Sequence, residues 1–335
     1  ENHGILSSKK GVNFPNTVID IDVITKKDEI DIAWGVENEV DYFAISFVQN
    51  AKDMNNARKL LDGYKGKLIA KIEKFDAVAN IDEIIEASDG IMVARGDLGI
   101  EVPYYDVPTI QKMLIKKANL KGIPVITATQ MLLSMTQNER ATRAEISDVA
   151  NAVLDGTDVV MLSEESAVGE DPINVVDTMH NIIAKTEGIY NYDKQYEMPY
   201  LDEFDVIQAT VTKLADDLKA NGILAITSSG KSALKMSRYR PRTPIFTFTH
   251  KKKVLNSLTA IWGVEPIGII KEAQASKMFQ KMLKSLDEIG KLKKDGLYVA
   301  TVGYPVGMPG STNTIKILTP SEIEYYLNFK EKKSK

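Results

Sequence analysis

The sequence predicts an α/β protein: a partial (β/α)8 TIM barrel with about five of its eight strands, followed by a smaller α/β C-terminal domain. Between residues 41 and 187, five short apolar segments are each followed by a helical segment, which is typical of parallel strands joined by helical crossovers. Polar residues follow the C-terminal end of every one of these strands. Barrels collect functional groups from all strands around one mouth, whereas open doubly wound sheets gather them at one switch point, so we favour the barrel.

The elements of the predicted barrel follow from apolar runs and from the helical spacing of apolar residues. The predicted strands cover residues 41–47, 67–72, 90–94, 124–128 and 158–162. The predicted helices cover residues 26–38, 51–61, 76–87, 106–120, 142–154 and 172–187. Thr142 and Glu145 have the spacing of a capping box at a helix start, and Gly122 and Gly156 stand where two helices should end.

The stretch 67–101 is predicted to form a strand, a helix and a strand, and it carries the main candidate site. Lys71 and Glu73 lie two residues apart at the end of the first strand, so both point to the same face. Asp97 follows the next strand beside Gly96, which permits close approach of the backbone. Because the carboxyl ends of parallel strands share one edge, we expect the ammonium and the two carboxylates to lie together.

A divalent cation suits this group of side chains. Mg²⁺ prefers oxygen ligands and often takes only one or two carboxylates, which leaves its other positions to water and substrate. Lys71 would then balance charge on a transferred phosphoryl group or on an enolate. The alternative is a surface cluster of salt bridges, and we favour the site because all three residues stand at strand ends.

A tyrosine-rich segment at residues 190–204 is predicted to link a barrel domain at 1–189 to a C-terminal domain at 205–335. The predicted strands of the second domain cover residues 222–227, 245–249, 297–302 and 314–318. Its predicted helices cover residues 205–220, a segment ending near 239, 251–258 and 272–286.

The turn Thr227-Ser228-Ser229-Gly230-Lys231-Ser232 joins the first of these strands to a helix. Small polar turns of this kind present backbone N–H groups and the positive end of a helix dipole to anions. The spacing of a P-loop is absent, so the turn is either a phosphate cradle or a place where Ser228 or Ser229 only caps the helix. The loop Gly303–Ser311 either closes over the same turn or is an ordinary connection.

Composition limits the classes of function. The net charge of −4 and the ordinary charged fraction of 26% predict neither a nucleic-acid nor a membrane partner, and Lys330–Lys335 is predicted to be a solvated tail. The absence of cysteine excludes disulfides and thiolate metal sites and agrees with a cytoplasmic setting. No apolar run reaches the roughly 18–20 residues that span a bilayer, and the sequence predicts no signal peptide. The start at Glu1, with five strands that cannot close a barrel, predicts an N-terminal truncation.

Several motifs resemble those of the pyruvate kinase family. In the predicted barrel they are Ser8–Asn13 (SKKGVN), Ala70–Glu73 (AKIE), Ser88–Gly99 (SDGIMVARGDLG), Ala128–Leu132 (ATQML), Thr142–Glu145 (TRAE) and Ser147–Gly156 (SDVANAVLDG). In the second domain they are Ser237–Pro241 (SRYRP) and Thr312–Thr314 (TNT). The resemblance covers essentially the whole chain, and the MVARGDLG and TRAE stretches are highly specific.

The resemblance implies the glycolytic transfer of the phosphoryl group of phosphoenolpyruvate to ADP, which gives pyruvate and ATP. It implies Mg²⁺ or Mn²⁺ held by Glu73 and Asp97, with Lys71 against the phosphoryl group and the enolate oxygen. Thr129 would bind the carboxylate side of the substrate and take part in protonating the enolate. Gly96 and Asp97 would offer backbone N–H groups to the substrate carboxylate.

The resemblance also implies that Thr227–Ser232 is the phosphate loop of an allosteric site for a sugar phosphate or a nucleotide, and that the protein is a homotetramer. It implies K⁺ as a second cofactor, with ligands that are not in this chain. The family's first three barrel strands and lid domain are absent here, so this chain alone is expected to be inactive. Glu164 and Gln49 are departures, because the family usually has glycine and often has arginine at these positions.

Two other functions stay open. A Mg²⁺-dependent pyruvate or phosphoenolpyruvate lyase on the same barrel would also use a Glu/Asp pair to hold an enolate. Such an enzyme would ignore ADP and would have no reason to carry the second domain. The other alternative is a non-catalytic fragment that serves oligomerisation and effector binding.

Overall fold

A computed structural model describes residues 22–272, 274–303 and 312–329 of the chain. The described chain forms two compact units. The first comprises residues 22–115, 126–146 and 161–176, and the second comprises residues 116–125, 147–160 and the described residues from 177 onward. Three predicted features lie outside the described residues: the motif Ser8–Asn13, the tail Lys330–Lys335, and all of the loop Gly303–Ser311 except Gly303. None of the helices in the described ranges combines the length and apolarity needed to cross a membrane.

The first sheet contains five strands in chain order: β1 (Tyr42–Ile45), β2 (Lys67–Ile72), β3 (Gly90–Ala94), β4 (Val125–Ala128) and β5 (Val159–Met161). β2 pairs in parallel with β1 on one side and with β3 on the other. One apolar cluster takes side chains from all five strands: Tyr42, Ile69, Met92, Ile126, Ala128 and Met161. Such a layer of side chains from successive strands fills the inside of a barrel, so the sheet fits the predicted partial barrel.

Nine α-helices accompany these strands in the described ranges. They are α1 (Lys26–Glu37), α2 (Ala51–Leu60), α3 (Phe75–Ala79), α4 (Ile81–Ala87), α5 (Arg95–Glu101), α6 (Val107–Lys121), α7 (Arg143–Asp155), α8 (Glu164–Ala167) and α9 (Pro172–Glu187). The prediction of a single helix over 76–87 is wrong, because Asn80 leaves the helical conformation between α3 and α4. Its side-chain amide donates to the carbonyl of Gln49, and asparagine competes with a helix in this way.

The predicted start and end of α7 are confirmed. The Glu145 carboxylate accepts from the backbone N–H of Thr142 at 2.8 Å, and the Glu145 N–H donates to the Thr142 hydroxyl. Burial alone would raise the pKa of Glu145, but hydrogen bonds from Ser134 and Thr142 outweigh it and hold that pKa below its usual value. Gly156 has a φ of 95°, and a Cβ there would lie 2.7 Å from the Asn119 side chain.

The second sheet has the order β10-β9-β6-β7-β8, with β10 antiparallel to β9 and the other pairs parallel. Its strands are β6 (Gly222–Thr227), β7 (Ile245–Thr249), β8 (Val264–Ile269), β9 (Tyr298–Gly303) and β10 (Thr312–Leu318). Its helices are α10 (Glu203–Asp217), α11 (Lys231–Arg238), α12 (Lys252–Ser257), α13 (Ala275–Glu288) and α14 (Pro320–Leu327). Alternate residues of β6 enter two separate cores: Leu224 packs with α13, and Ile223 packs with α10 and α11.

Two elements of this sheet domain are absent from the sequence prediction. β8 contains Pro266 and Gly268, which disfavour strands, and an edge position tolerates both. α14 begins at Pro320 with a capping box of Thr319 and Glu322, so its start signal was present in the sequence.

Two buried arginines hold the second compact unit together. Arg238 donates to the Asp205 carboxylate at 3.0 Å and to the backbone carbonyls of Leu120 and Pro199. The side chains of Arg238 and Asp205 are fully buried. Arg240 makes a bidentate pair with Asp158 at 2.8 and 2.9 Å. These pairs connect residues more than 30 positions apart in the chain.

We expect Arg238→Ala to lower the free energy of unfolding by about 3–5 kcal/mol, because it leaves the Asp205 carboxylate buried without its cation. Urea unfolding of the 335-residue chain measures this loss. Lys294→Ala is the matched control, since it breaks an exposed ion pair with Asp287 in the same compact unit and should cost less than about 0.5 kcal/mol. Equal losses in the two variants would contradict the prediction.

Candidate functional site

The register of the first sheet brings the candidate residues to one edge. Lys71 lies opposite Met92, and Ile72 lies opposite Val93, so β2 and β3 end almost level. Glu73 follows directly after β2, and Asp97 lies in the first turn of α5, which follows directly after β3. The backbones of Glu73 and Asp97 therefore lie at one edge of the sheet, as predicted.

Lys71 and Glu73 are in direct contact. The Lys71 ammonium lies 2.7 Å from the Glu73 carboxylate and donates a second hydrogen bond to the Ser46 hydroxyl at 2.8 Å. The other Glu73 oxygen accepts from the backbone N–H of Phe47 at 2.6 Å. Glu73 is 1% exposed and Lys71 is 25% exposed, so the carboxylate is buried and the ammonium reaches the surface of the edge.

Asp97 is half-buried, and within the described ranges its carboxylate makes no hydrogen bond or ion pair. No side chain among the described residues therefore neutralises this carboxylate, whereas Lys71 neutralises that of Glu73. Each carboxylate carries about four lone-pair sites, and Glu73 has used two of them. Oxygen ligands of this kind fit Mg²⁺ or Mn²⁺. Within the described residues, however, no group of three or more Asp, Glu, His or Cys side chains is placed to hold a metal.

Thr129 and Gly96 are also in contact. The backbone N–H of Gly96 donates to the Thr129 hydroxyl oxygen at 2.8 Å, and this hydroxyl donates to the carbonyl of Ala128 at 2.6 Å. A Cβ on residue 96 would lie 3.4 Å from the same oxygen, which is ordinary van der Waals contact, so this hydrogen bond does not itself require glycine. The hydroxyl of Thr129 thus accepts from the N–H group that the resemblance to the pyruvate kinase family assigns to a substrate carboxylate.

Three residues without glycine's freedom adopt left-handed conformations at this edge: Phe47 (φ 55°), Thr129 (φ 69°) and Gln130 (φ 55°). Phe47 follows the end of β1, and the other two follow the end of β4. A bulky or β-branched residue with positive φ is a genuine outlier, costs about 1–3 kcal/mol, and is found preferentially at functional sites. The sequence carries no signal for these conformations.

Two further residues shape the edge in ways that the sequence did not specify. Glu165, which the sequence marks only as polar after β5, is fully buried and accepts from the N–H groups of Leu132 and Ser163 at 3.0 and 2.8 Å. It therefore joins the segments that follow β4 and β5. Arg95, which the sequence marks only as part of a motif, donates to the carbonyl of Thr129 at 2.7 Å.

The turn Thr227–Ser232 lies in the second compact unit, at the C-terminal end of β6. Gly230, with a φ of 85°, occupies the N-cap of α11, and no side chain caps this helix. The alternative in which Ser228 or Ser229 only caps the helix is therefore excluded, because both precede the N-cap and no side chain caps α11. The buried Thr227 hydroxyl accepts from the Gly230 N–H at 2.9 Å, which fixes the turn. The exposed Lys231 side chain adds a positive charge to the helix start.

Comparison with known proteins assigns both parts of the chain. Residues 1–176 match the family described as pyruvate kinase, barrel domain, and residues 205–318 match pyruvate kinase, alpha/beta domain. The chain belongs to the pyruvate kinase family. The predicted fold class, a partial barrel followed by an α/β domain, is confirmed by these matches together with the two sheets.

Curated relatives from three bacteria agree with the pyruvate kinase assignment. The chain is 43% identical to "Pyruvate kinase" of Geobacillus stearothermophilus over 96% of its own length and 56% of the relative. For "Pyruvate kinase" of Clostridium acetobutylicum the identity is 43%, over 94% of this chain and 68% of the relative. For that of Lactobacillus delbrueckii subsp. bulgaricus it is 42%, over 95% and 55%. The chain thus spans a little over half of the length of the Geobacillus and Lactobacillus proteins and about two thirds of the Clostridium protein.

We expect Glu73→Gln to lower the free energy of unfolding by about 1–3 kcal/mol. Glutamine keeps one acceptor, but its NH₂ group must face either the Phe47 N–H or the Lys71 ammonium, and both are donors. Thermal unfolding of the chain checks this. Glu83→Gln is the matched control, because the exposed Glu83 accepts one backbone hydrogen bond and its amide can turn its NH₂ towards water. A stability unchanged in Glu73→Gln would contradict the arrangement.

Proposed function

We propose that the protein transfers the phosphoryl group of phosphoenolpyruvate to ADP, giving pyruvate and ATP. The observation that carries the proposal is the contact of the Lys71 ammonium with the buried Glu73 carboxylate at 2.7 Å, at the sheet edge where Asp97 leaves the next strand. The membership of the chain in the pyruvate kinase family supports the same reaction. The glycolytic role of this reaction would place the protein in the cytoplasm.

Lys71 is proposed to balance the charge that moves during phosphoryl transfer. In the reaction, an oxygen of the ADP β-phosphate forms a bond to phosphorus, and the bond from phosphorus to the enol oxygen breaks. The electron pair stays on the enolate, which then takes a proton at its methylene carbon. A partly exposed ammonium, oriented by Glu73 and Ser46, stabilises both the phosphoryl group and the enolate oxygen.

Glu73 and Asp97 are proposed to hold Mg²⁺ or Mn²⁺. The Asp97 carboxylate, which has no partner in the part of the chain that the structure describes, and the unused lone pairs of Glu73 fit such an ion, with substrate and water as its remaining ligands. The bound ion would neutralise negative charge on the phosphoryl and enolate oxygens. K⁺ is proposed as a second cofactor from the resemblance alone.

Thr129, Gly96 and Asp97 are proposed to bind the carboxylate side of the substrate. The first turn of α5 supplies backbone N–H groups, and a helix start favours an anion. Since the Gly96 N–H donates to the Thr129 hydroxyl, a substrate carboxylate must share or replace that acceptor. The freed hydroxyl would then lie beside the substrate, where it would take part in protonating the enolate.

The turn Thr227–Ser232 is proposed to bind the phosphate of an allosteric effector, a sugar phosphate or a nucleotide. Support comes from the uncapped start of α11 and from the exposed hydroxyls of Ser228 and Ser229. A homotetramer is proposed as the assembly that such an effector regulates. The division into domains at 1–189 and 205–335, with a linker at 190–204, stays a prediction.

The full-length product of the reading frame that contains this chain should form pyruvate from phosphoenolpyruvate only when ADP and Mg²⁺ are both present. Coupled detection of pyruvate, with and without ADP, measures this. If pyruvate forms without ADP, the proposed phosphoryl transfer is wrong and the protein is a lyase. If no pyruvate forms under any of these conditions, the assignment as an enzyme is contradicted.

We expect Lys71→Met in the full-length protein to lower kcat by at least about 10²–10³-fold, because it removes an electrostatic stabiliser of the transferred group. Titration with Mn²⁺ should show that the metal still binds, since Glu73 and Asp97 remain. Lys67→Met is the matched control: Lys67 begins the same strand and pairs with Asp89 at its other end, so turnover should be nearly unchanged. Near-normal turnover of Lys71→Met would remove the lysine from its role.

A further inference from the structure

The turn formed by Thr129 and Gln130 stores backbone strain at the proposed substrate site. Both residues have positive φ, at 69° and 55°, and neither is glycine. Two consecutive residues in this region cost about 1–3 kcal/mol each, so the surrounding structure must hold them there.

Arg95 makes the contacts that hold the turn. One of its terminal nitrogens donates to the carbonyl of Thr129 at 2.7 Å, lies 3.4 Å from the carbonyl of Gln130, and lies 3.0 Å from the Met131 sulfur. The other terminal nitrogen donates to the Gln111 side chain at 3.3 Å, which fixes the plane of the guanidinium. A planar group of several donors suits such a set of acceptors, and a lysine ammonium does not reproduce its geometry.

The same segment also binds the side chain of the strained residue. Arg95 and Gly96 are consecutive residues in the first turn of α5. The Arg95 side chain donates a hydrogen bond to the carbonyl of Thr129, and the Gly96 N–H donates one to the hydroxyl of the same residue. Beyond the turn, the Leu132 N–H is anchored by the buried Glu165. The position of the Thr129 hydroxyl is therefore fixed from α5 through two separate hydrogen bonds.

We propose that Arg95 is a positioning residue for the reaction: it keeps the Thr129–Gln130 turn left-handed and so places the Thr129 hydroxyl against Gly96 and the substrate carboxylate. The kinetic part of this inference rests on the proposed function, whereas its structural part does not. In this role the guanidinium acts on the turn and not on the substrate. Its effect passes through Thr129, which predicts that the two residues act as one unit.

Amide hydrogen exchange of the 335-residue chain tests the structural part. In Arg95→Met, the Gly96 and Leu132 amides should exchange about three- to tenfold faster, because the turn loses the contact that holds it. Thr129→Ala should speed exchange at Gly96 to a similar extent. Arg58→Met is the matched control, since Arg58 bonds Asp89 and the Ala87 carbonyl in the same compact unit and does not contact the turn. Unchanged exchange at Gly96 in Arg95→Met would overturn the proposal.

A double-mutant cycle in the full-length protein tests the kinetic part. Arg95→Met should lower kcat by about 10–100-fold, since small displacements of a positioned group carry losses of that size. In the Thr129→Ala background, the same substitution should lower kcat less than threefold further, because its effect passes through Thr129. Losses that multiply in the double variant would show that Arg95 acts independently of Thr129, which would overturn the proposal.

The two experiments separate failure of this inference from failure of the proposed function. A wild-type protein without ADP-dependent turnover would refute the function, and hydrogen exchange at Gly96 would still decide the role of Arg95. Thermal unfolding shows whether each variant is folded. If Arg95→Met does not fold, Arg95→Lys replaces it in both experiments, with smaller changes expected in the same direction because one nitrogen cannot reproduce the guanidinium contacts. Wild-type behaviour of Arg95→Lys in both would overturn the proposal.

Discussion

The contact between Lys71 and Glu73 is the interaction on which the candidate site depends. A carboxylate that is 1% exposed needs a partner, and it has both the Lys71 ammonium and the Phe47 N–H. Because the lysine is held by the glutamate and by Ser46, its charge reaches the sheet edge in a fixed place. Asp97 lies in the first turn of α5, after the next strand, and its carboxylate has no partner among the described residues, so this edge carries one oriented cation and one open anion.

Strain at the ends of β1 and β4 is the second feature that organises this edge. Phe47 and the pair Thr129–Gln130 are left-handed; Phe47 is held by Glu73, which follows β2, and the pair is held by Arg95 at the start of α5. These bonds offset a conformational cost that the local sequence cannot avoid. The left-handed conformations let the Phe47 N–H donate to the Glu73 carboxylate and let the Thr129 hydroxyl accept from the Gly96 N–H. Strain and charge are thus arranged at the same place, which is typical of functional sites.

The sequence predicted much of the fold because its local signals agreed with one another. The bounds of β2, β3, β6, β7 and α9 match the predicted segments to the residue. The failures have local causes: Asn80 interrupts a helical pattern with its own side chain, and Pro266 and Gly268 conceal an edge strand. The sequence also placed Lys71, Glu73 and Asp97 at the ends of two neighbouring strands, because alternation and parallel order fix which strand ends share an edge.

The amino-acid sequence by itself determined the parallel order of the first sheet, the edge at whose strand ends Lys71, Glu73 and Asp97 stand, and the family to which the chain belongs. Only the tertiary structure decided how these groups are paired: that Glu73 is neutralised by Lys71, that the Gly96 N–H is taken by Thr129, and that Arg95 holds the turn behind it. Periodicity and propensity act over a few neighbouring residues. The partners of these polar groups lie up to 34 positions away in the chain, and strain at Thr129 is stable only once those partners are in place.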